Sequence, residues 1–178
     1  LLLPGDKSGL TIAARPQFFV YVPSTSATEA EFLLRDPNGD YEYRARYTLP
    51  KTGGIIKVEL PDSQTPLDVG KDYEWMFAII CDADSRDRDI VDVGTIKLTE
   101  LSPTQKSQLD QAEPLKRAEL YAEYGIWHDA VATLATLQCS NPNNQSLATW
   151  TQLLQSEPIL DLIATQPLIE CGTLKANN

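Results

Sequence analysis

Residues 67–81 read Leu67-Asp-Val-Gly-Lys-Asp-Tyr-Glu-Trp-Met-Phe-Ala-Ile-Ile-Cys81. Tyr73, Trp75, Phe77 and Ile79 fall on one face of an extended chain, Met76, Ala78 and Ile80 on the other. Apolar residues on both faces predict a central strand covered on both sides. Leu67, Gly70 and Tyr73 precede it in the order of a corner at which a tyrosine ring enters a core while its hydroxyl caps the loop backbone.

Working outward, residues 1–98 read as short strands separated by Pro, Gly and Asn turns. Phe18, Val20 and Val22 share a face before Pro23, and Ala30, Phe32 and Leu34 alternate with Glu31 and Arg35. Asp36-Pro-Asn-Gly-Asp40 is a hairpin turn, with Gly39 free to take positive φ. Tyr41, Tyr43, Ala45 and Tyr47 alternate with Glu42, Arg44 and Arg46, as Ile56, Val58 and Leu60 do with Lys57 and Glu59. In the last strand Val91 and Val93 are out of phase with Ile96 and Leu98, so a bulge near Gly94 is expected. About seven strands at these spacings predict a β-sandwich of immunoglobulin or fibronectin-III type.

The period then changes from two to 3.6. Ser102-Pro-Thr-Gln105 carries a capping box with Pro in the first turn. A second helix starts near Pro114 and ends at Gly125. Trp127, Ala130, Val131, Leu134 and Leu137 recur at helical spacing up to Asn141-Pro142, and Leu147, Trp150, Leu153 and Leu154 mark a fourth helix. Pro158 opens a short fifth. The fold class expected is α+β in two segments. A sandwich over 1–98 and a linker at 99–103 lead to a small helical domain over 104–171 and a tail at 172–178.

The chain has 178 residues, is 42% hydrophobic and carries a net charge of −10. That content supports a packed core. The acidity and the scatter of Lys and Arg exclude nucleic-acid binding and disfavour an anionic membrane surface. No apolar run approaches the ~20 residues of a membrane helix, so membrane insertion is not expected. The sequence opens on Leu1 rather than Met, which leaves room for a removed targeting segment.

Residues 118–144 resemble one tetratricopeptide repeat, with Ala118, Tyr121, Gly125, Ala130, Leu134 and Pro142 in the repeat's order. One repeat is too few for a solenoid, so the resemblance implies a helical hairpin. Nearly the whole chain also resembles a cyanobacterial family, domain of unknown function 928. The likeness rests on Gly9-Leu10-Thr11, Phe18 to Pro23, Pro66 to Asp82, Tyr121 to Ala130 and Pro167-Leu168-Ile169-Glu170-Cys171. It implies export behind a signal peptide and an upstream Cys, hence a periplasmic or extracellular location, and it brings no activity and no cofactor. Where the family pattern has two adjacent cysteines, Cys171 is followed by Gly172. Of the three cysteines, Cys139 and Cys171 are candidates for a disulfide, which an exported protein permits. Cys81 is then unpaired, or pairs with an upstream Cys.

His128, the only histidine, would have to serve any Ser-His-Asp or Cys-His site. Its place beside Trp127 at a helix start suits packing at the junction of the two segments. The cysteines lack metal-ligand spacing, and Gly53-Gly54 lacks the Lys and the helix of a phosphate loop. Asp82, Asp84, Asp87 and Asp89 lie within eight residues and offer the hard oxygens that Ca²⁺ takes, against a solvated loop of Asp–Arg pairs. The expected function is non-catalytic protein–protein contact in the cell envelope. The candidate surface is on the helical hairpin: Ala112, Leu115, Glu119, Ala122 and Glu123, suited to a basic or amphipathic partner. Tyr41, Tyr43 and Tyr47 on one strand offer an alternative platform for a glycan; a hydrolase is the remaining alternative.

Overall fold

The computed structural model describes residues 1–140, 142–174 and 176–177, the side chains of residues 170, 172 and 173 excepted. Strands β1 (Ser8–Thr11), β2 (Gln17–Val22), β3 (Glu29–Arg35), β4 (Glu42–Thr48), β5 (Gly54–Glu59), β6 (Asp72–Ile80) and β7 (Ile90–Leu98) come first. Helices α1 (Pro103–Gln111), α2 (Pro114–Glu123), α3 (Trp127–Ser140) and α4 (Asn144–Gln155) follow, then a 3₁₀ turn (Pro158–Ile163) and β8 (Leu168–Thr173). One sheet has the order β1-β7-β6-β3-β4 and the other β2-β5-β8. β1 runs parallel to β7 and β8 parallel to β5; the other pairs are antiparallel. The chain is thus an α+β mix.

The predicted central strand is β6, and its corner forms as expected. The ring of Tyr73 is buried and its hydroxyl accepts the Asp68 N–H at 2.9 Å, while Gly70 takes φ 78°. Even-numbered side chains of β2 meet the inner face of the large sheet: Phe18 lies 4.9 Å from Phe32 and 4.7 Å from Trp75. The odd-numbered Phe19, with Ile55 of β5, is buried on the opposite face, where α3 crosses the small sheet. The hairpin turn is built on Asp36, whose Oδ1 accepts the N–H of Asp40 at 2.9 Å, with Gly39 at φ 81°. Ser102 and Gln105 form the capping box, and Asn143 caps α4 by accepting the Ser146 N–H at 2.8 Å. Asn141, half of the expected helix stop, is outside the described residues.

Four expectations need correction. The outer face of β6 is covered only in part: Ala78 and Ile80 are buried as expected, but Glu74 is exposed and Met76 only half-buried. β7 pairs with β6 without a register shift from Ile90 to Lys97, so there is no bulge at Gly94. Val91 and Val93 simply face solvent, at 51% and 52% exposure. The helices are not a separate body: Val131, Leu134, Trp150, Leu154 and Leu160 share one core with Phe18, Trp75 and Ile55. A smaller cluster of Leu101, Leu109, Leu120 and Ile126 sits under α1 and α2. Residues 168–173, expected to finish the helical domain and open a tail, instead form β8 and complete the small sheet. Beyond it Ala176 bridges to Tyr47 and the Asn177 N–H reaches the Arg46 carbonyl at 2.8 Å, so the tail touches the large sheet too. Among the described residues no helix is long and apolar enough to cross a membrane.

Cys139, in the last turn of α3, is bonded to Cys171 of β8; their Cα atoms are 5.4 Å apart. Cys81 is free and exposed. Closing a loop over a separation of 32 residues is worth about 3–4 kcal/mol in the chain-entropy picture. Replacing both cysteines by serine therefore lowers the free energy of unfolding by about that amount in urea titrations. Tyr73→Phe, which orphans the Asp68 N–H, costs about 1–2 kcal/mol in the same measurement.

Candidate functional site

His128, Asp129 and Thr11 come together where the start of α3 meets β1 and β2. Glycine at position 9 leaves the room: a methyl there would lie 2.7 Å from Cδ2 and Nε2 of His128. The imidazole fills that space with its ring 5.6 Å from Phe18 and 6.0 Å from Trp75. Its Nδ1 is 3.4 Å from the Gln17 carbonyl, and its Nε2 is buried with no partner among the described residues. Burial in apolar surroundings pushes its pKa from 6.5 down to about 4, against a small opposing pull from that carbonyl.

The next residue makes the firmer attachment. Asp129 Oδ2 accepts the Thr11 hydroxyl at 2.7 Å and the Ile12 N–H at 3.1 Å. Burial raises its pKa, while these two donors act the other way. Trp127 Nε1 donates to the Leu2 carbonyl at 2.9 Å. Three consecutive side chains of α3 thus fasten the helix to the segment before β1, to the end of β1 and to β2. Thr11, His128 and Asp129 line a hollow of about 200 Å³ with Tyr121 and Thr133. The geometry is nevertheless not that of a catalytic triad. His128 bonds to neither Asp129 nor Thr11, and the Thr11 hydroxyl donates to a carboxylate rather than to a base.

The other candidates are dispersed. In the 82–89 loop, Asp82 Oδ1 accepts the Asp84 N–H, and its other oxygen faces Arg88 at 3.7 Å. Asp87 accepts the Ser85 hydroxyl, and Asp89 pairs with Arg86 and accepts the Cys81 N–H. Among the described residues no three His, Cys, Asp or Glu side chains converge to hold a metal ion. The expected calcium loop is therefore corrected to an Asp–Arg paired loop, because two arginines intervene among the carboxylates. On α2, Glu119, Ala122 and Glu123 are exposed and Glu119 pairs with Lys116 at 3.0 Å, but Leu115 packs against the main core and Ala112 against the small cluster. Two of the five expected contact residues are thus packing residues. The tyrosine platform does not exist. Tyr41 and Tyr47 are buried, Tyr41 packs edge-on to Tyr73 at 5.2 Å, and the hydroxyls of Tyr43 and Tyr47 meet at 3.3 Å.

Sequence reasoning missed a groove of about 360 Å³ between α3 and the outer face of the small sheet. Phe19, Ile55, Ala135, Leu168 and the Cys139–Cys171 pair line it. Its only sequence signal is the apolar Phe19 and Ile55 on the second faces of β2 and β5. The fit of Gly9 to His128 carried none, since the two are far apart in sequence.

Between pH 6.5 and about 4 the unfolded chain binds a proton at His128 that the folded protein refuses, so stability falls as pH drops through that window, by about 3 kcal/mol at most. Asp129, with a raised pKa, opposes this by favouring the fold at lower pH. Subtracting the pH–stability curve of His128→Gln from that of the parent isolates the histidine contribution in chemical denaturation. Gly9→Ala is expected to cost about 1–3 kcal/mol, and Gly9→Ala with His128→Ala less than the sum of the single changes.

No curated protein and no solved structure matches the chain. A family model does, over residues 1–168, which takes in β1 through the first residue of β8 and every residue of the α3 attachment. The chain belongs to the family described as Domain of Unknown Function (DUF928).

Proposed function

We propose that this is a non-catalytic protein, exported to the periplasm or beyond, that works in the cell envelope by contact with protein partners. The observation that carries the reading is where the reactive groups go. The sole histidine, its neighbouring aspartate and Thr11 are all spent on fastening α3 to β1 and β2. The Cys139–Cys171 bond supports export, since such bonds persist in oxidising compartments. We read the two sheets as an immunoglobulin- or fibronectin-III-like sandwich; their strand order, the parallel β1–β7 pair and the Tyr73 corner support this. We read α2 and α3 as a tetratricopeptide-like hairpin, supported by Gly125 at φ 73° and the buried Ala118 and Ala130. The exposed Glu119 and Glu123 give α2 an acidic surface for a basic partner segment.

In intact envelopes the protein is expected to form saturable cross-links to a reproducible set of neighbours identified by mass spectrometry. Glu119→Lys with Glu123→Lys should weaken basic neighbours about 3–10-fold without lowering the melting temperature, because both side chains are exposed. Turnover of any substrate that co-purifies quantitatively with the protein would overturn the reading.

A further inference from the structure

The outer face of the large sheet carries a second surface, at the first half of β7. β1 covers β7 only from Thr95 to Leu98, so along residues 90–94 β7 has β6 on one side and, among the described residues, no strand on the other. The Thr95 N–H turns to the Lys7 carbonyl at 2.8 Å and the Val93 N–H to the Asp92 carboxylate at 3.0 Å, both away from β6. By the alternation of a strand, the backbone N–H and C=O of Val91 point to the same open side. Ile90, Val91 and Val93 are each more than half exposed. Across the sheet Val91 lies opposite Ala78 and Val93 opposite Met76, which in turn faces Leu33. Beside Val93 a shallow hollow of about 360 Å³, lined by Leu33, Met76, Lys7 and Arg35, can take one further side chain.

An open strand edge with β-branched, solvent-facing side chains is a template for another strand, and proteins ordinarily blunt such edges with charge or proline. Here Asp92, paired with Lys7 and the Leu1 amine, is the one charged residue along 90–93, and the three apolar residues around it stand exposed. At the end where β7 begins, the 82–89 loop adds negative charge. Its ion pairs join Arg86 to Asp89 and Arg88 to Asp82, leaving Asp84 and Asp87 without one among the described residues. A second copy of the chain is the wrong occupant, because it would bring another −10 of net charge and the same acidic loop to the contact.

Resting on the interaction reading above, we propose that the free edge of β7 at residues 90–93 takes an added strand from a different polypeptide. That strand is an extended segment with apolar or β-branched residues at alternate positions and Lys or Arg at its end. It runs antiparallel to β7, so the cationic C-terminal end lies beside Asp84 and Asp87. Main-chain hydrogen bonds to Val91 hold it, its apolar side chains lie on Val91 and Val93, and the charges set its direction.

The test uses the full chain and a fluorescein-labelled peptide of four Val-Thr repeats followed by two lysines, read by anisotropy. Saturable binding is expected, weakened about tenfold or more by Val91→Lys with Val93→Lys, two exposed positions whose change leaves the melting temperature in place. Asp84→Asn with Asp87→Asn should weaken it about three- to fivefold and flatten its salt dependence. A peptide with proline at its centre should not bind, having lost the donors and the extended pairing. Equal affinity for the Val91/Val93 variant, or equal binding of the proline peptide, overturns the proposal. So does a dimer in sedimentation velocity that this variant splits while no peptide binds, because the occupant is then a second copy. If envelope neighbours cross-link equally well to the Val91/Val93 variant, this edge is wrong and the interaction reading stands. If the unaltered protein cross-links to none, the interaction reading itself falls.

Discussion

Everything in the second half of the chain hangs on the fastening of α3 to the first strands. One carboxylate, Asp129, satisfies a hydroxyl and a backbone N–H at the end of β1, and the imidazole beside it occupies space that only a glycine leaves open. The helix is thereby set across the small sheet, so β2 and β5 are covered on both faces. That explains why Phe19 and Ile55 are as buried as their neighbours Phe18 and Ile56. α4 and the 3₁₀ turn then add Trp150, Leu154 and Leu160 to a core already begun by the sheets. The penalty of a buried, unpartnered imidazole nitrogen is accepted because the ring is neutral and packed between aromatic rings.

The strands and the first four helices were legible because their signals are local. The tyrosine corner, the Asp36 turn, the Ser102 capping box and the Gly125 stop each act over a few residues. The failures share one cause, which is tertiary. A period-two pattern reports which residues alternate, not whether anything lies over them. Val91 and Val93 therefore invited a bulge that the open outer face makes unnecessary. Tyr41 and Tyr47 looked like a platform until packing turned them inward. Residues 168–173 have little apolar alternation of their own and become a strand because β5 offers a partner edge. Of the candidate site, the junction role of His128 could be read from its place beside Trp127 at a helix start. Its complement, Gly9, could not. Four nearby aspartates likewise say nothing of direction, and theirs point to different partners.

The charge is distributed with a purpose that composition alone conceals. Glu31, on the solvent side of the large sheet, is nearly buried beneath the guanidinium groups of Arg44, Arg46 and Arg86. Arg35 and Glu74 pair across β3 and β6 on the same face. Most of that face is therefore self-neutralised and well hydrated, and such exposed pairs add little stability. What they do is keep the face from presenting a continuous apolar surface, so that exposure is confined to the neighbourhood of β7.

The return of the chain to β5 sets an order on how the molecule can be completed. β5 ends at residue 59, and its second neighbour begins at residue 168. Pairings separated so widely in sequence form late, after nearer contacts have shortened the loop that must close. During synthesis, the first seven strands and α3 are all available before the strand that seals the small sheet. Cys171 travels with that strand, so oxidation to the Cys139 bond records arrival of the final segment and holds it there. The disulfide is in this sense a latch on a finished fold rather than a guide to it, and a chain cut short before residue 168 would keep its large sheet while leaving β5 with one open side.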